Sequence, residues 1–154
     1  MKRTRSEIPE SKLSKFYQMV LHNADLWSKD PVSHVCALVV DPEDLQILST
    51  GYNGIPRGVK ETSDRWSREN NEKLFWVEHA ERNAIFNASL NGTKLKGATL
   101  ICNKFPCADC ARAIIQCGIS HVASPAPTTN PRWKKSWDVS QQMFKEANVR
   151  VSVL

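Results

Sequence analysis

Hydrophobic and polar positions follow two different periods in the first third of the chain. Apolar residues recur at three- and four-residue steps between Leu13 and Trp27, which predicts an amphipathic helix with Ser11 as its N-cap. Residues 35–40 and 46–50 form two short β-prone runs, and the turn-forming segment between them completes a predicted β-hairpin.

The rest of the chain alternates between the same two patterns. A helix is predicted over residues 76–90, with Asn91 and Gly92 as its stop signal, and a strand over residues 97–103. Pro106 suits the first turn of a further helix that ends at Gly118. Three elements follow, namely a strand over 120–124, a helix over 137–147 and a strand over 149–154. This order predicts an α/β protein, a three-layer α/β/α sandwich with a central mixed sheet of about five strands.

Length and composition limit the class of protein. The chain has 154 residues, of which 41% are hydrophobic and 24% charged, as in an ordinary globular protein, so we predict one domain over residues 1–154. Its apolar runs are far shorter than the roughly 20 residues that span a bilayer, so no membrane association is expected. The basic segment 1–5 is not followed by the apolar stretch of a secretory signal, which predicts a cytoplasmic location.

Cysteine usage and net charge narrow the chemistry. An odd number of cysteines without an export signal favours reduced thiols over disulfides; they are Cys36, Cys102, Cys107, Cys110 and Cys117. The net charge of +5 suits an anionic ligand. Because no run of five like charges occurs, a nucleic-acid partner is not favoured.

Two short segments carry candidate zinc ligands. Cys107 and Cys110 are three residues apart at a predicted helix start, so both sulfurs point to one side, where the positive end of the helix favours thiolates. With His79 as a third ligand, a tetrahedral zinc site keeps one open position, which is the catalytic arrangement. A structural zinc site or a redox pair is the alternative explanation of the cysteine pair alone.

Glu81 completes the candidate site. It lies two residues from His79, where it can approach the metal without being a ligand, and can move a proton from a zinc-activated water to a substrate nitrogen and a leaving amine. Together the segments match H-x-E…P-C-x-x-C, the signature of zinc nucleobase deaminases. The sequence therefore predicts hydrolytic deamination.

The order of sequence blocks resembles the deoxycytidylate (dCMP) deaminase family, within the cytidine deaminase superfamily. These blocks are SKDP at 28–31, GYNG at 51–54, the histidine motif at 79–85 and the cysteine motif at 106–116. The resemblance implies the cytidine deaminase-like fold, zinc held by His79, Cys107 and Cys110, and Glu81 as proton shuttle. It also implies conversion of dCMP to dUMP and ammonia, a step toward thymidylate.

The same resemblance suggests residues that bind the substrate. Asn53 is expected to hydrogen-bond the nucleotide, and Trp133 or Trp137 to replace a tyrosine that family members carry near the substrate. Arg57 leads the candidates for the 5′-phosphate because it shares a glycine-bearing loop with Asn53. The predicted substrate-binding set is Asn53, Arg57, Ala80 and Trp133. Further phosphate candidates are Lys29, Lys104, Arg112 and Lys134.

Other roles are assigned by exclusion or by the resemblance. Cys36, Cys102 and Cys117 are predicted to fill the core, and the histidines outside the motif to lie at the surface or bond within the protein. The resemblance implies dCTP and dTTP as effectors and a homo-oligomer, up to a hexamer. The alternatives are deamination of another cytosine nucleotide or of a base in tRNA or single-stranded DNA, or a zinc domain without turnover.

Overall fold

The computed structural model describes residues 7–154; the basic residues 1–6, on which the signal-sequence prediction rests, lie outside the described residues. The helices are α1 (Glu10–Trp27), α2 (Glu72–Trp76), α3 (Ala80–Leu90), α4 (Ala108–Gln116) and α5 (Pro131–Glu146). The strands are β1 (Cys36–Val40), β2 (Ile47–Tyr52), β3 (Thr99–Cys102), β4 (His121–Ser124) and β5 (Arg150–Val153). Two short 3₁₀ turns, Ser63–Trp66 and Glu69–Asn71, precede α2.

All five strands belong to one mixed sheet. Their order is β2-β1-β3-β4-β5. β1 runs antiparallel to both β2 and β3, whereas β3, β4 and β5 run parallel to one another. The predicted hairpin and the predicted mixed sheet of about five strands are confirmed.

Side chains alternate between the two faces of this sheet because successive strand residues point in opposite directions. Leu38 and Ile101 pack with Val20 of α1 on one face. Val39 and Leu100 belong to the larger cluster on the opposite face, which includes the buried residues of α3, α4 and α5. The structure is therefore the predicted three-layer α/β/α sandwich, with one helix on one side and three on the other.

The cysteines outside the zinc motif contribute to this core as predicted. Cys36 is buried on the α1 face and Cys102 on the opposite face, while Cys117 is half-buried. Burial raises the pKa of the Cys36 thiol to about 12. These thiols behave as small hydrophobic groups.

Two predicted helix starts are wrong by one to two turns. Residues 76–90 do not form one helix, because Glu78 pairs with Gly54 in an isolated bridge and so separates α2 from α3. α5 starts at Pro131 rather than at residue 137, and the Asn130 side chain caps it by accepting from the Arg132 N–H at 3.0 Å. This earlier start places Arg132 in the first turn of α5.

Two smaller corrections concern capping. Ser11 lies inside α1, which begins at Glu10 directly after Pro9, and is not its N-cap. Pro106 precedes α4 by two residues, and Cys107 occupies the N-cap position. Within residues 7–154, no helix combines the length and the apolar character needed to cross a membrane.

Candidate active site

The starts of α3 and α4 bring three metal-ligating side chains together. His79 and Cys107 are the extended N-cap residues of these helices, and Cys110 lies in the first turn of α4. His79 Nδ1 is 3.4 Å from Cys107 Sγ and 3.3 Å from Cys110 Sγ. Tetrahedral zinc with Zn–N and Zn–S bonds of about 2.0 and 2.3 Å separates such atoms by about 3.5 Å. Both separations from the histidine nitrogen therefore match those that zinc requires, and all three donor atoms lie within 4.8 Å of one another.

The electrostatics of this group favour a thiolate at one position. The hydrogen bond from Cys110, followed by that from His79, lowers the pKa of Cys107 to about 4 against the effect of burial. Its hydrogen bond with Cys107 raises the pKa of His79 to about 9. A thiolate is the form in which cysteine binds metals, so Cys107 is prepared for this role.

Glu81 lies next to the three donors but is not one of the group. It occupies the first turn of α3 and is only 4% exposed. Burial raises the pKa of its carboxyl group above the ordinary value. A buried carboxyl group beside three candidate metal ligands is a suitable proton carrier.

The start of α3 is fixed by an unusually close approach to β2 at Gly51. A Cβ atom at this position would lie 2.2 Å from the carbonyl oxygen of Ala80 and 2.2 Å from the backbone nitrogen of Ala84. No side chain fits there, so glycine allows the helix backbone to rest directly on the strand backbone. This contact sets the position of the helix turn that carries Glu81.

Two asparagines on α3 strengthen the same contact. Asn83 Nδ2 donates to the Tyr52 carbonyl and Asn87 Nδ2 donates to the Thr50 carbonyl, each at 2.7 Å. Four residues of helix rise about 6 Å and two residues of strand span about 7 Å, so the two spacings match. The asparagines therefore bind alternate carbonyls along the outer edge of β2.

Glu78 holds His79 from the other side. Its backbone exchanges two hydrogen bonds with Gly54, at 2.8 and 3.1 Å. Its carboxylate accepts from the His79 N–H and from Arg82 Nε, each at 2.9 Å. The histidine is thus placed by backbone pairing as well as by its own helix.

A cavity of about 460 Å³ is bordered by His79, Glu81 and Cys107. Trp133 and Trp137 line it, and the ring centroids of Trp133 and His79 are 6.4 Å apart in an edge-to-face arrangement. Four cationic side chains also line it, namely Arg68, Lys73, Lys104 and Arg132. The cavity thus combines an aromatic surface beside the three donors with a positive wall.

Asn53 lies in the wall of this cavity, but its amide is already occupied by the protein. Oδ1 accepts from Ser28 Oγ at 2.7 Å and from the Val35 N–H at 3.0 Å. Nδ2 donates to Asp30 Oδ2 at 3.0 Å and to the Ser33 carbonyl at 2.7 Å. A direct bond from Asn53 to a nucleotide would have to replace one of these four.

The predicted substrate-binding residues divide into two groups. Asn53, Ala80 and Trp133 line the cavity. Arg57 does not: it is exposed and donates to the Asn87 side chain, so its assignment to the phosphate site is not supported.

Of the other phosphate candidates, only Lys104 lines the cavity. The remaining three form exposed ion pairs, Lys29 with Glu61, Arg112 with Asp109 and Lys134 with Asp138. Arg68, Lys73 and Arg132 also line the cavity and are not among the candidates predicted from the sequence. Arg132 had a detectable signal, because Asn130 and Pro131 are typical residues of a helix start.

Comparison with known proteins defines the class. A family model described as the cytidine and deoxycytidylate deaminase zinc-binding region matches residues 10–124. The chain belongs to this family, and zinc is its cofactor. The matched region includes His79, Glu81 and both motif cysteines.

Individual relatives are similar over different lengths. An uncharacterized deaminase in the luxG 3′ region of Aliivibrio fischeri is 39% identical over 147 residues, which cover 92% of this chain and 95% of that protein. Human deoxycytidylate deaminase is 43% identical over 99 residues, which cover 62% of this chain and 54% of the human protein. The alignment therefore spans about half the length of the human enzyme.

A similar fold occurs in the dCMP deaminase of cyanophage S-TIM5, solved in complex with dCMP and dUMP. That structure has a TM-score of 0.75 and 25% sequence identity, and the match covers 96% of this chain and 100% of that chain.

Proposed function

We propose that this protein hydrolyses dCMP at C4 to dUMP and ammonia, with zinc held by His79, Cys107 and Cys110. The observation that carries the proposal is that these three donors lie together beside a cavity that His79, Cys107 and the buried Glu81 line. The similarity to human deoxycytidylate deaminase and to the cyanophage enzyme solved with dCMP and dUMP supports the choice of substrate.

Glu81 carries the protons of this reaction. Bound zinc supplies the acidity that makes a water nucleophile available at neutral pH. Glu81 accepts a proton from the attacking water and delivers it to the ring nitrogen next to C4. It then transfers the second proton of that water to the exocyclic amine, which leaves as ammonia while C4 keeps the oxygen. Burial limits the access of bulk water to the carboxyl group during both transfers.

The rest of the cavity supplies the binding groups. Trp133 lies beside His79, so we assign its ring to the cytosine base. Arg68, Lys104 and Arg132 line the same cavity and are assigned to the 5′-phosphate in place of Arg57. Ala80 and Asn53 shape the wall on which the nucleotide rests.

The role of Glu81 is tested by Glu81→Gln, which keeps the volume of the side chain but cannot accept the proton. We expect turnover of dCMP, followed by loss of ultraviolet absorbance, to fall by about 10²- to 10⁴-fold while zinc is retained. The control is Glu69→Gln, on an exposed 3₁₀ turn, which should behave as wild type. Undiminished turnover in Glu81→Gln would contradict the mechanism.

The substrate is tested separately with wild-type protein and a panel of dCMP, CMP, dCTP, deoxycytidine and 5-methyl-dCMP. We expect the highest kcat/KM for dCMP. If all five compounds are inactive and the protein instead binds an oligonucleotide in a salt-sensitive way and deaminates it, the substrate is a base in a nucleic acid and not dCMP.

Several predictions accompany this proposal. We retain one domain over residues 1–154, a cytoplasmic location, a homo-oligomer of up to six subunits, and regulation by dCTP and dTTP. Analytical ultracentrifugation measures the oligomeric state, and dCMP turnover with and without dCTP or dTTP measures the regulation. A monomer with unchanged kinetics in the presence of either nucleotide would contradict them.

A further inference from the structure

A buried carboxylate lies in the cavity wall, outside the zinc motif. Asp30 is only 1% exposed. Its Oδ1 accepts from the Val32 and Ser33 N–H groups, each at 3.0 Å, and its Oδ2 accepts from Asn53 Nδ2 and from Lys73 Nζ. A buried charge is tolerated only when it is paired and hydrogen-bonded, and Asp30 meets both conditions.

The partner of Asp30 comes from a distant part of the chain. Lys73 is the second residue of α2, a short helix that contributes no zinc ligand, and its side chain is 15% exposed. An ammonium group has three hydrogens to donate. Among residues 7–154, Asp30 is the acceptor that the Lys73 ammonium contacts. Lys73 also lines the cavity, so its remaining hydrogens are available to a ligand there. The neighbouring Asn53 amide, by contrast, has all four positions occupied.

Positive charge accumulates around this ion pair. Partial desolvation lowers the pKa of Lys104, and the nearby positive charges of Lys73 and Arg68 lower it further. One carboxylate, Asp30, faces these three cations, so the region keeps an excess of positive charge. An entering phosphate would reduce the repulsion between the cations, whereas an uncharged nucleoside would not.

We infer that Lys73, held in place by Asp30, binds the 5′-phosphate and makes the site select a nucleotide over the corresponding nucleoside. This inference rests on the proposed function, because it assigns a specificity-determining residue to the same cavity. Asp30 acts as a positioning residue: it fixes the ammonium through one hydrogen bond, and its own orientation is fixed by the Val32, Ser33 and Asn53 donors.

The primary test replaces Lys73 with Met, which keeps the length of the side chain and removes the charge. We expect KM for dCMP to rise about 10- to 100-fold with kcat changed less than about threefold, the loss typical of a hydrogen bond to a charged group. Activity on deoxycytidine should stay unchanged, so the preference for dCMP falls by the same factor. The matched control is Lys29→Met, which removes a lysine from the exposed ion pair with Glu61 and should behave as wild type.

Two further variants separate phosphate binding from support of the fold. Lys73→Arg keeps the charge and should recover most of the affinity for dCMP. Asp30→Asn keeps the shape but loses the negative charge that orients Lys73, so KM for dCMP should rise less than in Lys73→Met. Zinc content and urea unfolding are measured for each variant, because a merely structural role would lower both together with kcat.

Calorimetric titration with dUMP and with deoxyuridine gives a readout that does not depend on turnover. Lys73→Met should lose affinity for dUMP and keep that for deoxyuridine. Equal dUMP affinity in Lys73→Met and wild type would overturn the inference, as would equal losses for both ligands. If wild type binds dUMP through Lys73 but does not deaminate dCMP, the proposed function fails while this inference stands.

Discussion

Two walls of the same cavity are built in different ways. The metal wall is formed by His79, Glu81 and Cys107 together with Cys110, which contacts His79 but does not itself line the cavity. The cationic wall is formed by Arg68, Lys73, Lys104 and Arg132. The first comes from two helix starts, and backbone contacts at Gly51 and at the Gly54–Glu78 bridge hold the start of α3 in place. The second comes from four separate chain positions, three of them exposed. Metal ligands and catalytic groups must be positioned to within fractions of an ångström, whereas exposed side chains that bind a charged group can change conformation to reach it.

Removal of a ligand from the metal wall has the largest expected effect. Cys110→Ala leaves two of the three donors, so we expect loss of equimolar zinc after dialysis and at least a roughly 100-fold fall in dCMP turnover. Elemental analysis measures the zinc. The control is Cys117→Ala, which removes a half-buried thiol that donates to the Ile114 carbonyl and should keep its zinc. Full zinc in Cys110→Ala would refute the ligand set.

The support of the metal wall is tested next, with two glycines of one motif. Gly51→Ala forces a Cβ into the backbone of α3, so we expect a loss of about 3 kcal/mol in the free energy of unfolding and a fall in turnover. A Cβ at Gly54 meets nothing within 4 Å, so Gly54→Ala should stay within about 0.5 kcal/mol of wild type. Urea unfolding measures both. Equal stability of the two variants would contradict the close-contact argument.

The metal wall could be predicted from the sequence because its residues lie in two short segments whose spacing reflects local helix geometry. Cys107 and Cys110 meet on one side of α4 for this reason alone. The contacts that hold these segments in place could not be predicted in the same way. The prediction of one helix over 76–90 failed at Glu78, because pairing with Gly54 is a contact between distant segments that overrides local helix preference.

The cationic wall could not be predicted for a related reason. Which lysine or arginine reaches the cavity depends on the fold of residues 63–76 and on where α5 starts. Arg57, chosen for its neighbourhood to Asn53 in the sequence, turns instead to Asn87. Lys73 enters the cavity because Asp30 is buried there, a pairing across 43 residues that no local pattern indicates.

A buried histidine outside both walls makes the stability of the fold depend on pH. His121 is only 3% exposed and bonds Ser152 Oγ at 2.8 Å, and burial followed by the charge of Arg150 lowers its pKa to about 4. Unfolding releases a histidine with an ordinary pKa near 6.5, so the unfolded chain binds more protons between these values. Stability therefore falls as pH decreases from 6.5 to 4, by up to about 3 kcal/mol.

The comparison that isolates this effect is His121→Gln, which keeps a hydrogen-bonding side chain but does not titrate. Urea unfolding of both proteins between pH 4.5 and 6.5 should show a smaller slope for the variant. If the free energy of unfolding changes equally with pH in both proteins, His121 is not the cause, and groups of the metal wall or carboxylates elsewhere are responsible.

The smallest effect is expected at the exposed part of the cationic wall. Arg68→Ala should raise KM for dCMP about three- to tenfold at low salt and less at high salt, because an exposed charge is screened. Arg57→Ala, outside the cavity, should leave KM unchanged. The reverse ranking would restore the assignment made from the sequence and move the phosphate site toward Gly54.

The asparagine contacts between α3 and β2 also affect how the sheet can be extended. An unpaired edge strand is a template for addition of a strand from another polypeptide. At β2, Asn83 and Asn87 already occupy the outward carbonyls of Tyr52 and Thr50, so this edge is closed to β-augmentation. Within residues 7–154, β5 has a strand neighbour on one side only. The helix that carries Glu81 thus also restricts growth of the sheet to the edge farthest from it.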